Sequence, residues 1–123
     1  RDRVAELYQA AMAEIDGVTP MYDGPHKRSW FVYAPRLAAD IDRNAIIGLL
    51  DAQGIAAKPY LPCIHLQPFY QTEHGYRPGM LPVTEAISAS TIALPFFPEL
   101  TREQVDRVAS ALSRAIADHR SAT

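Results

Sequence analysis

Residues 101–119, TREQVDRVASALSRAIADH, decide what kind of fold this chain adopts. Val105, Val108, Ala109, Leu112 and Ile116 recur at helical spacing and form one apolar stripe, with charged residues around the rest of the turn. Thr101 and Gln104 stand ahead of the stripe in a capping-box pattern. A helix of this kind buries one side only, so the rest of the chain must supply a second layer for it.

Working outward from there, two more helices are predicted. In residues 1–17, RDRVAELYQAAMAEIDG, Val4, Leu7, Tyr8, Ala11 and Ile15 share a face that ends at Gly17. In residues 42–54, DRNAIIGLLDAQG, Ile46, Leu49 and Leu50 repeat the pattern, with Asp42 placed to cap the start and Gly54 to stop it. Residues 19–27 carry Pro20, Gly24 and Pro25 and read as a loop. The aromatic, β-branched run SWFVYAPRL (29–37) reads as a strand with Pro35 at its end or on an edge. Short strands are predicted at 55–58 and at TIAL (91–94), and a short helix at LPVTEAISAS (81–90) with Pro82 in its first turn and Glu85 near its positive end.

Residues 59–98 hold seven of the ten prolines. Each fixes φ and removes a donor, so most of this stretch is predicted to be irregular and rigid. The fold class that follows is α+β: a small antiparallel or mixed sheet covered by helices, one domain over residues 1–123.

Composition narrows the function. The chain is 48% hydrophobic and 21% charged, as expected for a globular domain, and its net charge of −2 with no basic stripe argues against nucleic acid. No apolar run reaches the length of a membrane span. A single cysteine, Cys63, makes no internal disulfide and points to a reducing compartment, the cytoplasm. The first residue is Arg1 and helical periodicity is under way by Val4, which suggests a piece of a longer polypeptide.

Chemistry-bearing patterns are few. The histidines at 26, 65, 74 and 119 lack metal-ligand spacing, and the scattered glycines form no phosphate loop. Cys63 and His65 stand two apart, close enough for a thiolate–imidazole pair, although a small buried hydrophobe is the plainer reading of Cys63.

The segments KPYLPCIHLQPFY (58–70), GYRPGMLPVTEAIS (75–88) and STIALPFFPELTREQVDRV (90–108) resemble the C-terminal part of the DegT/DnrJ/StrS family of pyridoxal-phosphate sugar aminotransferases. DRVAELYQAAMAEIDGV (2–18) and RSWFVYAPRL (28–37) resemble that family's helix leaving the large domain and the first strand of its small domain, so the likeness covers essentially the whole chain. It looks nearest to perosamine-synthetase-like members. Cys63 departs from the pattern, standing where the family usually has a small residue or proline.

The resemblance implies the small C-terminal domain of a fold-type-I aminotransferase. Its partner would be a large domain that holds pyridoxal phosphate on a lysine, and the complete enzyme would be a homodimer that aminates a keto carbon of a nucleotide-linked deoxysugar. Lys27 and Lys58, the only lysines, are not in the family's cofactor context, so this chain alone is expected to be inactive and to contribute no catalytic, cofactor-binding or metal-binding residue. The resemblance puts His65 on one wall of the substrate cleft, with Tyr60, Gln67 and Tyr70 as further substrate-binding candidates. For each there is a plainer alternative: a local backbone hydrogen bond for His65, packing for Tyr60, and pinning of the loop for Gln67 and Tyr70. Arg77 is a candidate for a nucleotide phosphate or a solvated surface residue. Trp30 and Phe31 should lie on opposite faces of their strand, and the surface around Trp30 and the proline-rich segment should be apolar. Two other identities stay open: a stand-alone binding module derived from this domain, and a domain of a related sugar dehydratase.

Overall fold

The computed structural model describes residues 1–123. Helix α1 spans Asp2–Ala13 and buries Val4, Ala5, Tyr8 and Met12; of the predicted face, Val4 and Tyr8 are buried in the helix, Ile15 is buried just beyond it, and Leu7 and Ala11 are half-buried. It stops short of Gly17, which instead takes φ +85° in the turn beyond, a conformation that favours glycine. Helix α2 (Arg43–Asp51) is capped by Asp42, whose carboxylate accepts from the amides of Asn44 at 2.9 Å and Ala45 at 3.2 Å.

The C-terminal helix is numbered α5 (Arg102–Ser121) and buries Val105, Val108, Ala111, Leu112, Ala115 and Ile116. Its capping box is formed on both sides: Thr101 Oγ1 accepts from the Gln104 amide and Gln104 Oε1 accepts from the Thr101 amide. Both α1 and α2 pack on α5. The second layer that the C-terminal stripe demands is thus supplied partly by helices.

The sheet is smaller than the sequence suggests. Strand β1 (Val18–Thr19) pairs antiparallel with β2 (Arg36–Leu37), and β3 (Lys58–Pro59) pairs antiparallel with β4 (Ile92–Ala93). Single bridges, Tyr33 to Leu94 and Arg36 to Thr91, join the two pairs into the order β1-β2-β4-β3. The predicted strand at 29–37 therefore shrinks to one bridge and two residues. Pro35 has no N–H to offer, and the chain compensates by its carbonyl, which accepts from the Ile92 amide at 3.1 Å. The strand predicted at 55–58 begins only at Lys58.

The largest departure lies in the proline-rich stretch. A 3-10 turn at Ile64–Leu66 leads into helix α3 (Pro68–His74), where irregular backbone was predicted. Pro68 occupies the first helical turn, where its missing N–H is not needed, and Gly75 closes the helix in the left-handed region at φ +70°. Proline here starts a helix instead of preventing one. Helix α4 (Pro82–Ser90) follows as predicted and reaches β2.

A cluster of 21 buried residues forms the core, drawn from α1, α2, α5 and the strands between them. Tyr8, Trp30, Tyr33 and Phe96 pack ring against ring within or beside it. Trp30 is buried while Phe31 is 71% exposed, which separates the two as strand alternation predicts and removes Trp30 from any surface patch. By contrast, α3 and α4 bury no residue at all. Phe69 on α3, Val83 on α4 and Met80 and Leu81 in the turn before α4 are exposed, so most of the exposed apolar side chains, though not Tyr22, Phe31 and Leu49, belong to the proline-rich segment.

Candidate functional site

Between β1, β2, the 60–67 segment and α4 lies a cleft of about 1040 Å³. All four sequence-selected candidates, Tyr60, His65, Gln67 and Tyr70, line it. Further hydroxyl contributors not singled out from the sequence include Tyr22 from the 19–27 loop, Tyr76 from the turn after α3, and Thr84 and Ser88 on α4. Arg36 on β2 is the one Lys or Arg in the lining, and no Asp or Glu lines the cleft. Arg77, the sequence candidate for a phosphate, stands outside it.

The wall carrying the candidates is held by named contacts. Leu61 adopts φ +57°, a left-handed conformation costing a branched residue roughly 1–2 kcal/mol. Its carbonyl accepts from Ser88 Oγ at 2.9 Å, which ties the strained turn to α4. Cys63 is buried, and its Sγ lies 3.8 Å from the Thr84 carbonyl. It therefore fills space against α4, the plainer of its two readings.

His65 sits at the centre of this wall and is 6% exposed. Its Nε2 is buried with no hydrogen-bond partner, which sets aside the alternative of a histidine satisfied by local backbone. The Tyr76 ring meets the imidazole edge-on, centroids 6.0 Å apart, and Glu85 Oε2 lies 3.8 Å from Nε2. Gln67, by comparison, is exposed and its Nε2 donates to the Cys63 carbonyl at 3.4 Å, so it does pin the loop. Tyr70 packs against Phe69 and His74 while keeping access to the cleft. Tyr60 is half-buried in the lining.

Helix α4, which forms one bank of the cleft, is anchored from the far side of the fold. Arg43 donates to the carbonyls of Ser88 and of Thr91, at 3.2 Å for the latter, and so satisfies the end of α4 with a cation. What this arrangement offers a ligand is aromatic faces, hydroxyls, one imidazole and one guanidinium. Lys27 and Lys58 both lie away from the lining, so the chain presents no amine there for a Schiff base and does not itself fit covalent attachment of pyridoxal phosphate.

The sequence pattern of the DegT/DnrJ/EryC1/StrS aminotransferase family matches residues 1–113. The chain belongs to that family. It is 27% identical over 117 residues to the spore coat polysaccharide biosynthesis protein SpsC of Bacillus subtilis, covering 91% of this chain and 30% of SpsC. Among solved structures it is similar to a DegT DnrJ EryC1 StrS aminotransferase from Brucella abortus, with 28% identity and a TM-score of 0.75, covering 94% of this chain and 30% of that one. DesI, solved in the presence of its TDP-sugar product, shares the fold at 22% identity and a TM-score of 0.80, with 98% of this chain and 32% of DesI covered. The chain thus spans under a third of the length of these proteins. The α+β class expected from the sequence is the architecture of the matched part of solved aminotransferases such as PseC of Helicobacter pylori, with a TM-score of 0.85.

Proposed function

We propose that residues 1–123 are a single domain, the small C-terminal domain of a pyridoxal-phosphate-dependent aminotransferase that aminates a keto group on a nucleotide-linked deoxysugar. The observation that carries the proposal is the lining of the 1040 Å³ cleft: four tyrosines, a histidine and one arginine set in a mostly apolar wall, with no Asp or Glu among the lining residues. Such a surface suits a ligand that is rich in hydroxyls and carries a negative charge. Hydroxyl and imidazole groups exchange hydrogen bonds with a sugar, aromatic rings cover its apolar faces, and Arg36 is placed to meet a phosphate. The family match and the TDP-sugar product of DesI support the same substrate class.

In this reading Tyr60, His65, Gln67 and Tyr70 bind and orient the sugar, and their wall excludes water from it. Pyridoxal phosphate is held by the rest of the polypeptide, which carries the lysine, and docks on the exposed apolar residues of α3 and α4. This chain is then inactive by itself, and the complete enzyme works as a cytoplasmic homodimer. No helix of the chain is long and apolar enough to cross a membrane.

The test has two arms. The chain titrated with a thymidine- or guanosine-diphosphate keto-deoxysugar should show NMR shifts at Tyr60, His65, Gln67 and Tyr70 and none at Arg77; the absence of any shift in the wall overturns the substrate assignment. Mixed with pyridoxal phosphate alone, the chain should develop no aldimine absorbance. Joined to a lysine-bearing large domain, it should support amino transfer from glutamate, and failure there returns the chain to a binding module.

A further inference from the structure

Glu85 stands in the first turn of α4 with its side chain turned back on the chain that enters the helix. Its Oε1 accepts from the Gly79 amide at 2.8 Å, and its Oε2 accepts from the Gly79 amide at 3.1 Å and from the Leu81 amide at 3.2 Å. The preceding loop is thereby clamped, and the carboxylate itself is fixed by backbone. Pro82 offers no N–H, so the amides before it take the carboxylate that a normal first turn would share.

The fixed carboxylate faces His65. Nε2 of His65, buried and unpartnered, lies 3.8 Å from Oε2, just outside hydrogen-bond range. The side chains are 5% and 20% exposed, so little water reaches between them. An unpaired imidazole nitrogen in such a place is costly, and a small shift of either side chain closes the pair.

We propose that Glu85 is the positioning residue for His65: it holds the proton on Nε2, and Nδ1 is left as the acceptor that meets a ligand hydroxyl in the cleft. A carboxylate accepts only, so the imidazole nitrogen that faces it must donate. The second nitrogen then carries the lone pair. The chemical class selected is a hydroxyl donor, and this part of the inference rests on the sugar-binding reading of the cleft. The proton location does not depend on it.

Proton-coupled ¹⁵N spectra of the four histidines, with His65→Asn to assign the signals, test the assignment on the ligand-free chain. The neutral His65 should be protonated at Nε2, with a proton that exchanges slowly. Glu85→Ala should lower the ratio of the Nε2–H to the Nδ1–H form about tenfold and speed the exchange. Glu85→Gln, which keeps an oxygen for the Gly79 and Leu81 amides, should give a smaller change in the same direction. A proton on Nδ1 in the unaltered chain overturns the proposal whether or not any variant folds, and so does an unchanged ratio in both variants. Should the proton behave as stated while no nucleotide sugar binds, the positioning role stands and the substrate reading falls. Should the sugar bind, His65→Asn and Glu85→Ala should each weaken it, and the double variant should weaken it no more than His65→Asn alone.

Discussion

Tyr8 of α1 and Tyr33 of the bridge before β2 stack with ring centroids 4.7 Å apart and planes 13° from parallel. Their hydroxyls are spent inside the fold: Tyr8 donates to the Pro95 carbonyl at 2.6 Å and Tyr33 donates to Gln9 Oε1. The pair joins the first helix to the strand region and to the segment that leads into α5.

Burial first, and for Tyr8 the neighbouring Tyr33 as well, push these phenols above their usual range. The neutral form is thus favoured by the fold. The stability this contributes is intact below the unfolded tyrosine value of 10.0 and is lost as the pH climbs from there through the folded values. Tyr33→Phe keeps the ring stack, removes one phenol and frees Gln9, so it should cost about 1 kcal/mol near neutral pH and flatten the alkaline decline. Urea denaturation near neutral pH and at about pH 11 reads both; an equally steep decline in the variant would contradict the assignment.

Arg120 near the end of α5 grips Asp40 and Asp16, from Nε to Asp40 Oδ2 at 2.9 Å and from Nη1 to Asp16 Oδ2 at 2.7 Å. The hydrogen bond from Arg120 holds the Asp40 carboxyl below its ordinary range. A depressed carboxyl stabilises above its unfolded value and loses that contribution as pH falls through the folded one. Asp40→Asn should therefore lower stability slightly at neutral pH, with the gap from the parent closing in acid. Thermal melts at a series of pH values check it, and a gap that stays constant would exclude the ion pair as its source.

Arg43→Ala should unmoor the end of α4 from the core. It removes charge-assisted hydrogen bonds to the Ser88 and Thr91 carbonyls, with an expected loss of about 1.5–3 kcal/mol. Because α4 forms one bank of the cleft, amide exchange in residues 82–90 should accelerate well beyond that in α5. Uniform acceleration across both helices would mean that α4 is held by something else.

His65→Leu is expected to separate stability from binding. It replaces a buried imidazole whose Nε2 has no partner with an apolar side chain of similar bulk, so stability should stay level or rise by up to about 1 kcal/mol. Affinity for a nucleotide sugar should drop at least about tenfold. A variant that unfolds would show the imidazole to be structural.

Much of this was legible in advance because it depends on short-range periodicity and local capping. The stripe at Val105, Val108, Leu112 and Ile116, the Thr101–Gln104 box and the Asp42 cap all concern residues a few positions apart, and each took the predicted form. The four cleft residues were legible as well, through their family motif, and the structure brings them to one lining. The helix at 68–74 lies outside the prediction because Pro68 is counted there with the rigid irregular stretch, unlike Pro82, although Pro68 and Gly75 carry the start and stop signals of a helix.

The sequence by itself determined helices α1, α2, α4 and α5 and the caps at Asp42 and Thr101, since these follow from which side chains stand within a turn of each other, and its ordered motifs determined the family. Only the tertiary structure decided how little of residues 29–37 remains strand, because Pro35 withholds a donor and, beyond the pairing of Arg36 and Leu37 with β1, the remaining partners lie more than fifty residues away at Thr91 and Leu94. It alone brought Glu85 to His65, twenty residues on, and left Nε2 unpaired. Contacts of that range depend on how α4 is laid across the strands, and no local pattern records it.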